Sequence, residues 1–276
     1  MKLFFAGNVL TYDPEMHLYG IRNRLLTFAE IDGMGKHAFA YWIEQEKLPC
    51  DSCLFLDSGA FSAFTRGIVI DLGVYCAYIE KYLPSLHCYA ALDVVGGNWQ
   101  ASERNLQIML KRGLDPVAVY HHQDPWSVLD MLLERHKFIA LGGMVGSGAS
   151  RDDLKKYLDR CFSVIGKHWP VKIHGFGIMA GWALEKFPFY SVDSSSAIVS
   201  AGMGQVNVFE YGKIVSHGWH DYSRRTMDGG VMDGVALDRA KKGSAYMGRR
   251  AMNIRAQLQL EKFITDLWTS RGIVWS

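Results

Sequence analysis

Three aspartates in this sequence each follow a short apolar run. Asp57, Asp93 and Asp193 come after CLFL, CYAAL and FYSV, respectively. One aspartate at such a position is most often a turn or cap residue. Three that converge would repel one another, which separates their pKa values, so that one carboxyl can act as an acid and another as a base. Two carboxylates about 5 Å apart suit a retaining substitution at an anomeric carbon, in which one attacks carbon and the other moves a proton. The sequence therefore predicts a carboxylate-based substitution site.

Glycines and histidines follow three further apolar runs. Gly142 and Gly143 either form a tight turn or bring bare backbone amides close to a flat heterocycle, and the sequence leaves both interpretations open. His121, His122 and His174 have the side chains of metal ligands, but no carboxylate spacing around them completes a metal site. For these histidines, hydrogen bonding within the loops is the simpler interpretation.

The cysteine pattern favours neither a disulfide framework nor a zinc site. Five cysteines are too few and too unevenly spaced for a disulfide-rich scaffold in a chain of 276 residues. Cys50 and Cys53 form one C-x2-C pair, but no second pair follows to complete four ligands. We therefore predict no metal and no other cofactor.

The elements that would position the aspartates alternate between strand and helix. The strands are short and rich in Val, Ile, Leu, Phe and Tyr, which is typical of strands buried on both faces. We predict eight strands: 3–6, 25–28, 53–57, 88–93, 116–120, 138–141, 171–175 and 189–193. We predict helices over 36–46, 72–82, 99–112, 126–136 and 154–162. Those over 72–82 and 99–112 follow Asp71 and Asn98, and the last follows the capping-box pair Ser150 and Asp153.

This alternation predicts an α/β fold of the (β/α)8 TIM-barrel type, because parallel strands need crossover helices and eight strands suffice to close a barrel. Residues 1–205 would form the barrel, whose active site lies at the carboxyl ends of the strands. Residues 206–276 break the alternation and would form a C-terminal extension packed on the barrel, with a glycine-rich loop or hairpin and a closing helix over about 244–268.

Composition and charge are those of an ordinary globular protein. Apolar residues make up 49% and charged residues 21%, and no run of 18 apolar residues suggests a membrane span. The first apolar stretch is too short for a signal-peptide core, so we expect a cytoplasmic protein. Residues 211–276 hold 11 Lys and Arg against 6 Asp and Glu, a net +5, whereas residues 1–210 hold 19 against 22, a net −3. The basic excess indicates either a polyanion-binding segment or a solvated helix face.

Six motifs in order resemble the tRNA-guanine transglycosylase superfamily, and most closely its DNA-acting branch, the 7-deazaguanine DNA transglycosylases of phages and bacteria. They are LDSGAFSAF (56–64), ALDVVGG (91–97), the helix with Ser102, Asn105 and Met109, IALGGMVG (139–146), KIHGFGI (172–178) and FYSVDSSSA (189–197). Together they span most of residues 1–197. A protein of a phage would act in the host cytoplasm.

The resemblance implies a role for each matching residue. Asp193 matches the nucleophile that attacks C1′ of the sugar, and Asp57 matches the general acid/base of the D-S-G motif. Ser58 is its neighbour in the base pocket, and Asp93 matches the aspartate that hydrogen-bonds the purine-like edge. The remaining base-binding positions that we assign are Gly142, Gly143, His121 and His174.

The sequence also departs from the family pattern. The tRNA enzymes carry a cysteine-rich zinc site after the nucleophile, but no cysteine follows Cys161 here. They place Gln-Gly-Gly after strand five, whereas this chain has Tyr120 to Gln123, YHHQ. The missing zinc module and the short basic tail favour the DNA branch. They also remove the ground for expecting the dimer of the tRNA enzymes, so we take a monomer as the working expectation.

The resulting expectation is a pentosyltransferase that exchanges guanine in DNA for a free 7-deazaguanine base. The residues expected to hold the nucleic-acid backbone are Arg224, Arg225, Lys241, Lys242, Arg249 and Arg250. Three alternatives stay open: the same exchange on tRNA, a glycoside hydrolase that stacks sugar on Trp99 or Trp126, and a nucleic-acid-binding barrel without activity. Neither the particular base nor a DNA sequence context follows from the residues.

Overall fold

The structure, a computed structural model, describes residues 1–7, 20–29, 53–96, 98–143, 148, 150–219, 222 and 245–275. Several sequence-based predictions fall outside these residues. They are the helix over 36–46, Cys50, and the basic residues Arg224, Arg225, Lys241 and Lys242.

Eight parallel strands form one sheet. They are β1 (Lys2–Phe5), β2 (Asn23–Thr27), β3 (Cys53–Asp57), β4 (Cys88–Tyr89), β5 (Ala118–His121), β6 (Phe138–Gly142), β7 (Lys172–Gly175) and β8 (Ser191–Ser194). The order in the sheet is β4-β3-β2-β1-β8-β7-β6-β5. The two edges meet where Ala90 bridges Val117, with Val117 N donating to Tyr89 O at 2.8 Å and Ala91 N donating to Val117 O at 2.9 Å. The predicted α/β, TIM-barrel-like fold is therefore confirmed.

The strands bury both faces, which explains their continuous apolar sequences. Phe4 and Phe55 point into a small core inside the ring of strands, whereas their neighbours Leu3, Leu54 and Leu56 pack in the larger core beneath the helices. Because successive side chains of a strand alternate between faces, a strand covered on both sides has no polar face to show.

Helices flank the strands. They are α1 (Ala60–Arg66), α2 (Leu72–Tyr82), α3 (Trp99–Lys111), α4 (Trp126–Arg135), α5 (Arg151–Ile165), α6 (Gly181–Lys186) and α7 (Ser196–Gly202). The predicted caps are present: Asp71 accepts from Val74 N, Asn98 accepts from Ala101 N, and Ser150 forms the complete capping box with Asp153. The prediction missed α1, α6 and α7, which are seven residues or shorter, and it made the fourth strand too long.

The remaining described elements are a hairpin, β9 (Gln205–Glu210) with β10 (Lys213–Gly218), and the helix α8 (Ala245–Ser270). Helix α8 packs against β9, β10, α7 and β1. The Asn253 carboxamide accepts from Asn207 N at 2.6 Å and donates to Ala197 O at 3.1 Å, and Glu261 accepts from Leu3 N at 2.7 Å. In the described part of the chain, no helix is long and apolar enough to cross a membrane.

Candidate active site

The carboxyl ends of the parallel strands carry the candidate site residues. Asp57 ends β3, His121 ends β5, Gly142 ends β6, His174 lies in β7, Asp193 lies in β8, and Ser58, Asp93 and Gly143 follow their strands. Because the strands run in one direction around the ring, these positions share one end of the barrel.

One cluster joins Ser58, Asp93 and His121 across β3, β4 and β5. The Ser58 hydroxyl donates to Asp93 Oδ1 at 3.1 Å, and His121 Nε2 lies 2.6 Å from Asp93 Oδ2. Asp124, which the sequence analysis missed, accepts from the His121 backbone amide at 3.1 Å. Ser58, His121 and Asp124 are all buried, so both oxygens of Asp93 are held by groups that are themselves fixed.

The segment after β4 owes its position to helices α2 and α3. The Ser102 hydroxyl accepts from Val94 N at 2.9 Å, and the Asn105 carboxamide donates to Leu92 O at 2.9 Å. The Tyr75 hydroxyl donates to Ala90 O at 2.8 Å. These three contacts fix the backbone on both sides of Asp93, so its carboxylate is presented from a rigid segment although β4 itself has only two residues.

Asp57 lies near the same cluster. It ends β3 opposite Thr27 of β2 and is partly buried. Burial, followed by the charges of Asp57 and Asp93, raises the pKa of Tyr75 well above its usual value. Because β3 and β4 are neighbouring parallel strands, Asp57 and Asp93 lie on the same side of the barrel end.

Gly142 and Gly143 bring the end of β6 close to the histidines. Gly143 has φ +83°, and a Cβ placed there would lie 2.8 Å from His122 Nδ1 and 3.0 Å from His121 Nδ1. A side chain at this position would therefore be strained and would press on both rings. The close approach supports the turn interpretation.

The ionisation of His121 depends on Asp93. Burial alone lowers the pKa of the His121 imidazole, but the hydrogen bond and charge of Asp93, with a further contribution from Asp124, raise it above 6.5. Burial and then the charge of His121 lower the pKa of His122, and burial raises the pKa of Asp124. The pKa values of the two adjacent histidines are thus shifted in opposite directions.

We expect Asp93→Asn to lower the pKa of His121 below its ordinary value, since burial then outweighs the remaining charge of Asp124. Because folding raises the pKa of His121, protonated His121 stabilises the native chain at a pH below the pKa of an unfolded histidine. That stabilisation is lost as the pH rises through the pKa of His121 in the folded chain. The measurement is an NMR titration of the imidazole, with Asp115→Asn, a carboxylate outside the cluster, as the control. A His121 pKa that stays raised in Asp93→Asn would contradict the assigned cause.

A second cluster surrounds Asp193 on β7 and β8. The Gly177 backbone amide donates to Asp193 Oδ1 at 2.7 Å, and His174 Nε2 lies 3.3 Å from the same oxygen. His174 Nδ1 lies 2.9 Å from the Ser191 hydroxyl. Within the described residues, no polar contact reaches Asp193 Oδ2. One carboxylate oxygen is therefore held while the other is left for chemistry.

The structure brings the two clusters to one end of the barrel but separates the predicted residues between them. Asp57, Ser58, Asp93, His121, Gly142 and Gly143 lie on the β3–β6 side, and Asp193 and His174 lie on the β7–β8 side. His174 is fully buried, with 0% exposed. Sequence analysis also missed Gly177 and Ser191 as partners of this cluster, although the motifs KIHGFGI (172–178) and FYSVDSSSA (189–197) contain them.

The described basic residues of the C-terminal segment differ in exposure. Arg250 is buried, with 4% exposed, so it does not present a guanidinium to a phosphate as predicted. Arg249 is partly buried, with Nε donating to Ala201 O at 2.8 Å and its guanidinium 5.8 Å from the Trp219 ring centroid.

Among the described residues, no group of three or more His, Cys, Asp or Glu side chains is arranged to hold a metal ion. The described cysteines, Cys53, Cys76, Cys88 and Cys161, are free thiols.

Comparison with known proteins finds similarity among solved structures. No family model matches the sequence, and no curated protein matches it either. Among solved structures, the chain is similar to the carboxyl transferase domain from Rhizobium etli pyruvate carboxylase, at 11% identity and a TM-score of 0.43. The match covers 92% of this chain and 48% of that structure, so this chain spans about half of its length.

Proposed function

We propose that this protein is a transglycosylase that replaces guanine in DNA by a free 7-deazaguanine base through a covalent glycosyl-Asp193 intermediate. The observation that carries the proposal is the difference between the two carboxylate oxygens of Asp193. Oδ1 accepts a hydrogen bond from the Gly177 amide and lies beside His174, whereas no polar group among the described residues contacts Oδ2. A carboxylate held through one oxygen keeps its other oxygen available as a nucleophile.

The reaction uses the two carboxylates in turn. Asp193 Oδ2 attacks C1′ of the nucleotide, the bond from C1′ to guanine N9 breaks, and Asp57 donates a proton to the leaving guanine. The incoming base then gives its N9 proton to Asp57, its N9 attacks C1′, and the ester bond to Asp193 breaks. Two displacements restore the original configuration, and both aspartates return to their starting states.

Base recognition would fall to the Ser58–Asp93–His121 cluster. A carboxylate accepts hydrogen bonds from the adjacent N–H groups along the edge of a guanine-like base. The Ser58 and His121 contacts fix the direction of Asp93 before the base arrives, which lowers the ordering cost of binding. Gly142 and Gly143, at the end of β6, would face the same base.

The target nucleotide would have to leave the helical stack, since a base cannot be exchanged while it is stacked in a duplex. DNA is the proposed polymer because the sequence lacks the zinc module of the tRNA enzymes. The basic segment that includes Arg224, Arg225, Lys241, Lys242 and Arg249 would supply salt-dependent phosphate contacts. The reaction as written balances without a cofactor.

Mass spectrometry of nucleosides tests the proposal. Duplex DNA, single-stranded DNA and tRNA are each incubated with the protein and 7-cyano-7-deazaguanine and then digested. We expect the corresponding deoxynucleoside from DNA with the native chain and with Asp152→Asn, an exposed carboxylate control, but not with Asp193→Asn. Product from tRNA alone would transfer the proposal to tRNA. If no product forms and labelled guanine is not exchanged in any polymer, the proposal is wrong.

A further inference from the structure

We propose that His174 and Ser191 form a positioning pair for Asp193, in which the buried imidazole directs the carboxylate so that Oδ2 faces the sugar. The inference rests on the proposed function, since it takes Asp193 as the nucleophile. It assigns His174 a place behind the carboxylate instead of the contact with the base that the sequence suggested.

Burial fixes the imidazole. His174 and Ser191 both have 0% exposed surface. Three aromatic rings surround His174 at centroid distances of 4.6 Å for Phe176, 4.7 Å for Phe55 and 6.1 Å for Phe4. A ring enclosed in this way has few alternative rotamers, so its two nitrogens keep their directions.

The hydrogen-bond pattern determines which nitrogen faces the carboxylate with a proton. The Ser191 hydroxyl lies 2.9 Å from His174 Nδ1, and as a donor it makes Nδ1 the acceptor and leaves the proton on Nε2. Nε2 is 3.3 Å from Asp193 Oδ1, but it is buried without a well-aligned hydrogen bond. An unpaired buried N–H is unfavourable, so a small rotation of Asp193 toward Nε2 is favoured.

The pair has a role in both displacements. Before attack, the Gly177 amide and the His174 N–H hold Oδ1, which leaves Oδ2 to form the bond to C1′. In the ester, Oδ1 is the carbonyl oxygen, and the same donors withdraw electron density from it. The carboxylate is then a better leaving group when the incoming base attacks. His174 touches neither the base nor the sugar, so it is a positioning residue.

Three variants test the pair by single-turnover and steady-state kinetics. A glutamine amide can place an N–H near the position of Nε2, whereas an asparagine amide reaches only the position of Nδ1. We expect His174→Asn to slow formation and breakdown of the adduct about 100-fold with KM for the free base unchanged, and His174→Gln to restore most of the rate. Ser191→Ala should fall between them. Thermal unfolding verifies that each variant is folded.

Two kinetic results would overturn the inference. One is that His174→Asn forms and breaks down the adduct at the rates of the native chain. The other is a rise in KM for the base without a fall in kcat, which would return His174 to base binding.

A second measurement does not depend on activity. In ¹⁵N NMR of the ligand-free native chain, we expect the His174 proton that faces Asp193 on Nε2, and we expect the Nε2 resonance to shift in Asp193→Asn. A proton on Nδ1, or an unchanged Nε2 resonance, would overturn the pairing. If the native chain forms no adduct with any polymer, the proposed function fails, and the NMR result still decides whether His174 is paired with Asp193.

Discussion

Asp193→Asn should abolish the covalent adduct between protein and DNA. The amide side chain has nearly the same shape and can present its oxygen to the Gly177 amide, which donates to Oδ1 at 2.7 Å in the native chain. The amide nitrogen is not a nucleophile, so we expect the rate of adduct formation to fall by at least about 10³-fold. The measurement is a denaturing gel of labelled DNA incubated with the protein, on which a covalent adduct migrates slowly.

The choice of control separates loss of the nucleophile from loss of the fold. Asp152→Asn makes the same chemical change at an exposed position in the first turn of α5, and it should form adduct at the native rate. If Asp193→Asn still forms adduct, the nucleophile lies elsewhere, and Asp57→Asn would be the next variant to examine. Native unfolding temperatures in both variants are required for the comparison.

Gly59→Ala should be the most destabilising single substitution among those considered. Gly59 has φ +78°, and a Cβ there would lie 2.6 Å from Ala29 Cβ, 2.8 Å from Thr27 Cγ2 and 3.0 Å from the Ala29 backbone amide. The left-handed backbone costs an alanine about 1 kcal/mol, and overpacking adds about 1–3 kcal/mol. We expect a loss of about 2–4 kcal/mol in the free energy of unfolding, measured by denaturant titration.

Gly67→Ala is the matched control for this prediction. Gly67 also has a left-handed backbone, at φ +66°, but no atom lies within 4 Å of the position of its Cβ. It should therefore lose only about 1 kcal/mol. Equal losses in the two variants would show that the contact of Gly59 with the end of β2 is unimportant. A larger loss at Gly59 explains why glycine follows Asp57 and Ser58 directly.

The sequence predicted the strands well because burial on both faces leaves a clear local pattern. The residues of β3 were predicted without error, since CLFL is apolar throughout and Asp57 ends it. Strand β4 is the exception: Ala90 to Leu92 are apolar and buried, but the structure continues them as a single bridge and a loop. An apolar sequence indicates that its residues are buried, and buried residues need not form the backbone hydrogen bonds of a sheet.

The candidate site was predictable only as far as strand ends determine it. The placement of Asp57, Asp93 and Asp193 at one end follows from parallel strands alone. The partners of these residues do not, because Asp93 meets His121 from 28 positions away and Gly177 meets Asp193 from 16. The first contact depends on the closure of the barrel between β4 and β5, and the second on the pairing of β7 with β8. No local pattern marks Asp124 or Ser191 as partners in these contacts.

The link between β1 and α8 has a consequence for the order of assembly during synthesis. Strand β1 pairs along its length with β8, and its Leu3 amide bonds Glu261 of α8, which lies 258 positions later in the chain. Contacts between such distant segments are slow to form because a long loop must close first. The first strand therefore lacks its partners in β8 and α8 until residues 191–261 have been synthesised. Chaperone dependence of the nascent chain should follow from this wait.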